Sequence, residues 1–171
     1  MILFEDEFSL SNTATISYSW SLKAIQPQID YKQKKRERVT GFGSFNITTG
    51  QITINFADKG NYKSFKKHLK KLLWEYRDAK KIILILDNVR YHHAKLLKKF
   101  LARENKFELI YLPPYSPDLN PIERVWWYMR KKITHNRYLL SLTERKMKFW
   151  EMFSYYLKPN HFLINLCNVN Y

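Results

Sequence analysis

The most constraining feature of this sequence is an uninterrupted aliphatic run, Ile82–Leu86, that ends at a carboxylate, Asp87, and an amide, Asn88. Five consecutive aliphatic residues predict a strand buried on both faces, as at the centre of a parallel or mixed sheet. In open α/β sheets ligands bind at the carboxyl ends of strands, because the loops there form a crevice. Asp87 is therefore a candidate functional residue, although a lone strand-end Asp also suits a turn or a helix cap.

Length and composition predict one basic domain. The chain has 171 residues, and 30 Lys and Arg against 15 Asp and Glu leave a formal charge of +15. This excess attracts polyanions, of which nucleic acid is the commonest; an unusually basic but otherwise ordinary protein is the alternative. The single cysteine, Cys167, cannot form an internal disulfide, which fits a reducing compartment. Without a signal peptide or an apolar run near the roughly 18 residues of a membrane span, we expect a cytoplasmic protein.

Hydrophobic periodicity predicts the order strand, hairpin, helix, strand, helix, strand, helix. We expect strands over residues 1–8, 39–46, 51–56, 82–87 and 107–111, and helices over residues 61–76, 94–105, 121–134 and 142–157. With short connections and right-handed crossovers, this order predicts an α/β fold with a ribonuclease H-like five-stranded mixed sheet flanked by helices. Residues 1–157 form the predicted domain, and residues 158–171 a C-terminal tail of unknown role.

Two further carboxylates lie in contexts similar to that of Asp87. Asp6 lies near the end of the first predicted strand between two glutamates, and strand alternation must select the inward residue. Glu123 follows the Asn-Pro helix start at Asn120, where a capping box is the simpler explanation for a lone glutamate. Two-metal phosphodiester cleavage needs several hard oxygen ligands on rigid elements. The joint arrangement therefore predicts that Asp6, Asp87 and Glu123 are catalytic residues that hold two Mg²⁺ or Mn²⁺ ions.

Three short segments form a more specific pattern. They are Phe4-Glu5-Asp6-Glu7, Leu86-Asp87-Asn88 followed by His92 and Lys95, and residues 112–126, which are Leu-Pro-Pro-Tyr-Ser-Pro-Asp-Leu-Asn-Pro-Ile-Glu-Arg-Val-Trp. Together they resemble the catalytic domain of DDE-superfamily transposases, in particular the mariner-like insertion-sequence transposases of bacteria and archaea. The resemblance covers roughly residues 2–142, and the third segment is its most specific part.

The resemblance implies a ribonuclease H-like fold with Asp6, Asp87 and Glu123 as the metal-binding triad. It implies an enzyme that cuts DNA at transposon ends and joins the freed 3′ ends to a target. The predicted supporting residues are Asn88, His92 and Asn120. Another ribonuclease H-like nuclease or resolvase is an alternative that the third segment disfavours. A further alternative is an inactive DNA-binding remnant of a transposase.

Basic residues are the predicted contacts with double-stranded DNA, although the charge block at residues 32–38 also suits a solvated loop. The predicted DNA-binding residues are Lys34, Lys35, Arg36, Arg38, Arg124, Arg130 and Lys131. The transposases that this sequence resembles normally carry N-terminal helix-turn-helix modules, and this sequence has no segment that matches one. We therefore expect a homodimer on DNA, with a helix-turn-helix module that is encoded separately or has been lost.

Overall fold

The central strand of the sheet is β1 (Ile2–Ser11), which has a neighbour on each side. The other strands are β2 (Arg38–Asn46), β3 (Ile52–Ala57), β4 (Ile82–Leu86) and β5 (Phe107–Tyr111). Their spatial order is β3-β2-β1-β4-β5; the β1–β2 and β2–β3 pairs are antiparallel, and the β1–β4 and β4–β5 pairs are parallel. This computed structural model describes residues 1–13, 15–26, 28, 37–137, 139 and 141–168. The predicted five-stranded mixed sheet is confirmed.

Helices cover both faces of this sheet. They are α1 (Tyr62–Glu75), α2 (Lys95–Glu104), α3 (Ile122–Ile133), α4 (Leu142–Ser154) and α5 (His161–Cys167), with 3₁₀ turns at Arg90–His93 and Pro117–Leu119. One apolar cluster joins Leu3 of β1 to α1 and α2, and a second joins Phe8 of β1 to α3, α4 and α5. Leu3 and Phe8 are separated by an odd number of positions, so they point to opposite faces of the strand. Within the described residues, no helix has both the length and the apolar character of a membrane span.

β1 is longer than its sequence indicates. The predicted loop from residue 9 onward is wrong for residues 9–11, because Ser9, Leu10 and Ser11 continue the antiparallel pairing with β2. Leu10 is buried in the cluster on the α3 side. Serine-rich segments have weak strand propensity, and the pairing with β2 overrides that preference here.

The C-terminal segment contributes to the core. Residues 158–171, predicted as a tail, include α5, which begins after Asn160 accepts a hydrogen bond from the backbone N–H of Leu163 at 3.3 Å. Leu163 and Cys167 are buried in the α3-side cluster. The Cys167 thiol donates to the backbone oxygen of Pro121 at 3.3 Å. This segment therefore packs against the start of α3.

Gly43 provides a test of the packing between the sheet and α3. It pairs with Asp6 across the β1–β2 ladder, and a Cβ there would lie 2.2 Å from Cη2 of Trp126. We expect Gly43→Ala to lower the free energy of unfolding by roughly 1–3 kcal/mol, the usual cost of overpacking. Gly60→Ala is the matched control, because the nearest atom would lie 3.5 Å from its Cβ. Denaturant titration measures both variants, and equal stability would contradict the described packing.

Candidate active site

The three predicted catalytic carboxylates come from separate elements and line one cavity. Asp6 belongs to β1, Asp87 follows β4 directly, and Glu123 lies in the first turn of α3. The cavity has a volume of about 410 Å³, and residues 112–117, Asn88 and Asn120 also line it. The parallel pairing of β1 with β4 brings Asp6 and Asp87 to the same region, and the loop after β5 returns Glu123 to it. The predicted triad thus meets at one site.

Asp6 is held in an environment that opposes its ionisation. Its side chain is buried, and Trp126 Nε1 donates a hydrogen bond to Oδ2 at 2.9 Å. Burial raises the pKa of Asp6 from 3.8 to about 8, and the charges of Glu123, Glu7 and Asp87 raise it further in the same direction. A nearby cation would offset both causes, so Asp6 has the properties expected of a metal ligand.

Asp87 presents an unsatisfied carboxylate oxygen to its surroundings. Its Oδ1 atom is buried and accepts no hydrogen bond from any described residue. His92 is fully buried nearby, with Nδ1 at 3.2 Å from the backbone oxygen of Asp87 and 3.7 Å from Oδ1. A buried oxygen without a donor is costly unless an ion or water satisfies it. His92, predicted as a supporting residue, is therefore placed where it orients the Asp87 segment.

Asn120 has a different local role from the one predicted. The predicted N-cap is wrong: α3 begins at Ile122, and no side chain caps it. Instead, Asn120 Nδ2 donates to the backbone oxygen of Glu5 at 2.9 Å. The side chain is used to join the start of α3 to β1, which places Glu123 opposite Asp6. No described contact makes Glu123 part of a capping box; its Oε2 atom lies 3.8 Å from an Arg130 nitrogen.

Two acidic residues of β1 were not predicted as part of the site. Glu5 is fully buried, and neither carboxyl oxygen has a hydrogen-bond partner among the described residues. Burial raises the pKa of Glu5 well above its ordinary value, and the charges of Glu7, Asp6 and Asp87 add to this. Glu7 Oε1 lies 3.3 Å from His92 Nε2. His92 therefore lies between Glu7 and Asp87.

Strand alternation missed these residues because it assumes one buried face. A strand with neighbours on both sides and helices on both faces buries every side chain, so parity does not select one acid from Glu5, Asp6 and Glu7. The usable signal was the position of the first strand at the sheet centre, which the predicted topology already contained. Carboxylate oxygens of Asp6, Glu7 and Asp87 all lie within 4.8 Å of one another. This set of hard oxygen donors fits a divalent cation.

Some of the predicted DNA-binding residues flank this cavity. Arg124 and Arg130 line a neighbouring depression of about 560 Å³ that shares Glu123 with the cavity. Lys131 lies with Nζ 4.8 Å from the ring centroid of Trp127, which lines the same depression. Arg38 is exposed at the start of β2 and lines neither space. Lys34, Lys35 and Arg36 lie outside the described residues.

Comparison with known families agrees with this geometry. The family described as DDE superfamily endonuclease matches residues 1–145. The chain belongs to this family, which confirms the DDE-superfamily resemblance of its motifs.

Similar proteins and structures include insertion-element and transposase chains. The chain is 28% identical over 162 residues to the "Insertion element IS630 uncharacterized 39 kDa protein" of Shigella sonnei, covering 95% of this chain and 44% of that protein. The structure titled "Mos1 transposase paired-end complex with left transposon end" has a TM-score of 0.73 at 18% identity, covering 97% of this chain and 51% of the other. The structure titled "Crystal structure of the catalytic domain of Mos1 mariner transposase" has a TM-score of 0.65 at 18% identity, covering 97% and 74%. These structures share the fold, and the chain spans about half the length or less of the first two proteins.

The pKa of Asp6 predicts an unusual pH dependence of stability. Between its ordinary pKa of 3.8 and its folded pKa of about 8, the folded state retains a proton that the unfolded state has released. The free energy of unfolding therefore falls as pH rises through this range. We expect the Tm measured with EDTA to fall from about pH 5 to about pH 8, and added Mn²⁺ to restore it most at the higher pH.

The control for this measurement is Asp6→Asn, which keeps an oxygen acceptor for Trp126. The variant should show a smaller fall in Tm with pH, though not a flat profile, because the raised pKa of Glu5 has the same sign of effect. An Asp6→Asn profile that is superimposable on the wild-type profile would exclude Asp6 as a cause.

Proposed function

We propose that this chain is the catalytic domain of a transposase, which cuts DNA strands and joins the freed 3′ ends to target DNA. The observation that supports this most is the meeting of Asp6, Asp87 and Glu123 in one cavity of a DDE-family chain. The matched insertion-element protein and the transposon-end complex point to the same activity. Cleavage without strand joining, by another nuclease of the same fold, is the second candidate, since the carboxylate cluster alone serves either reaction.

The carboxylates fit Mg²⁺ or Mn²⁺, with Asp6, Asp87 and Glu123 as the residues that would hold a pair of ions. Ions bound there would activate the attacking oxygen and stabilise the leaving oxygen of the phosphodiester. The protein's own part is to position the ligands. Trp126 fixes one oxygen of Asp6, and Asn120 anchors the start of α3 to β1. Their contacts keep ligands from different elements in register.

Double-stranded DNA is the proposed substrate. Arg124 and Arg130 beside Glu123 are suited to contact backbone phosphates next to the cut. The predicted contacts at Lys34, Lys35, Arg36, Arg38 and Lys131 belong to the same proposal. A homodimer in the DNA complex, and end recognition by a helix-turn-helix module encoded separately, complete it.

The direct test is Asp87→Asn. The substitution keeps the size of the side chain and removes the charge that attracts a divalent cation, so we expect nicking of supercoiled plasmid with Mg²⁺ or Mn²⁺ to be lost. The charge of Asp87 also raises the pKa values of Glu5 and Asp6, so its removal relieves repulsion. The Tm without metal should therefore stay level or rise. Asp78→Asn is the matched control, because the Asp78 side chain is exposed and remote from the cavity.

Two outcomes would contradict the proposal. Cleavage that persists unchanged in Asp87→Asn would remove Asp87 from the catalytic site. A wild-type chain that binds DNA without cleaving it, with either metal, would favour the inactive remnant. A labelled duplex with a free 3′ end distinguishes the two enzymatic candidates, because only a transposase joins it to the plasmid.

A further inference from the structure

A strongly basic groove lies between α1 and α2, and the proposed function does not use it. The groove has a volume of about 650 Å³, and six of its nine lining residues are cationic, with no acidic residue among the nine. The cations are Lys63, Lys66, Lys67, Lys70, Lys99 and Arg103. None of these residues lines the carboxylate cavity.

Helix periodicity arranges these cations as two facing rows. The α1 lysines repeat at three- and four-residue intervals, so they share one stripe, whereas Phe65, Leu69 and Leu72 are buried on the other side of α1. Lys99 and Arg103 of α2 are four residues apart and line the opposite wall. The floor between the rows is partly apolar, and Lys66 Nζ lies 5.1 Å from the ring centroid of Phe100.

The arrangement is unfavourable for the isolated protein. Like charges three or four residues apart on a helix destabilise it, and α1 repeats this spacing in its outer row. In the described part of the chain, Arg103 is the one groove cation in an ion pair, with Glu104 at 2.7 Å. A surface that gathers unpaired cations around an acid-free groove is complementary to a polyanion.

The groove and the catalytic cavity are on separate parts of the molecule. α1 and α2 pack in the cluster that contains Leu3, whereas α3, with Arg124 and Arg130 beside the cavity, packs in the cluster that contains Phe8. A phosphate backbone in the groove would therefore be held by different residues from those proposed to contact the strand that is cut.

We propose that the α1–α2 groove binds the phosphate backbone of a second DNA duplex. The inference rests on the proposed function, because joining a transposon end to a target requires two duplexes on one assembly. Two rows of cations suit a continuous phosphate track, which presents regularly spaced charge along each strand. Base edges are not needed for such contacts, so binding in the groove is independent of sequence.

The test compares two triple variants with the same change in net charge. The groove variant is Lys67→Glu, Lys70→Glu and Lys99→Glu; the control variant is Lys80→Glu, Lys98→Glu and Lys158→Glu, at exposed positions outside the groove. Fluorescence anisotropy with a labelled duplex and EDTA, over a salt series, measures binding without chemistry. Each lost phosphate contact lowers the slope of log K against log salt by about one, so the groove variant should lose roughly two to three units and the control less than one.

Stoichiometry provides the second readout. At saturation, native mass spectrometry should find two short duplexes per chain for the wild type and the control, and one for the groove variant. Circular dichroism checks the fold, and a Lys67→Gln, Lys70→Gln and Lys99→Gln variant repeats the test with a smaller perturbation. Equal slopes and equal stoichiometries in the groove and control variants would overturn the inference. So would tighter groove-dependent binding of duplex RNA than of DNA.

The groove and the proposed function can fail separately. Groove-dependent DNA binding by a wild-type chain that never nicks plasmid would support the groove and overturn the catalytic proposal. Metal-dependent nicking by a chain whose groove variant binds DNA as the control does would overturn the groove alone.

Discussion

The mutual repulsion of carboxylates buried around one strand is the constraint on which the rest of this structure depends. Burial of a charge in a low-dielectric interior is costly unless a proton, partner or cation offsets it. Glu5 and Asp6 are both buried, and their pKa values are both raised by burial and by neighbouring acids. The fold retains this cluster because strong packing surrounds it. A cation-binding function explains why such an unfavourable arrangement is present at all.

The central position of β1 accounts for the distribution of functional groups. Its neighbours β2 and β4 and the helices on both faces close it off from solvent. Asp6 meets α3 through Trp126, and Glu7 meets the 3₁₀ turn after β4 through His92. One strand thus links the cavity to both helical layers. The basic groove is built on the outer surface of the layer formed by α1 and α2.

The sequence determined most of the fold because its local signals agreed with its topology. The aliphatic run of β4 and the short strand β5 were predicted within one residue, and the strand directions followed from connection lengths. Local signals failed where distant residues decide. The extension of β1 depends on pairing with β2, and the Asn120 side chain bonds to Glu5 rather than to its own helix. The burial of Glu5 and Glu7 required knowing that β1 has helices on both faces, and the packing of α5 had no clear sequence pattern.

The central claim is that Asp6, Asp87 and Glu123 hold divalent metal ions. The most direct measurement is anomalous X-ray diffraction from crystals of the chain grown with Mn²⁺, recorded on both sides of the manganese absorption edge. The account predicts anomalous density within coordination distance of Asp6 and Asp87, absent in crystals of Asp87→Asn. Ordered carboxylates with no density between them, or density only at Glu5, Glu7 and His92, would contradict it.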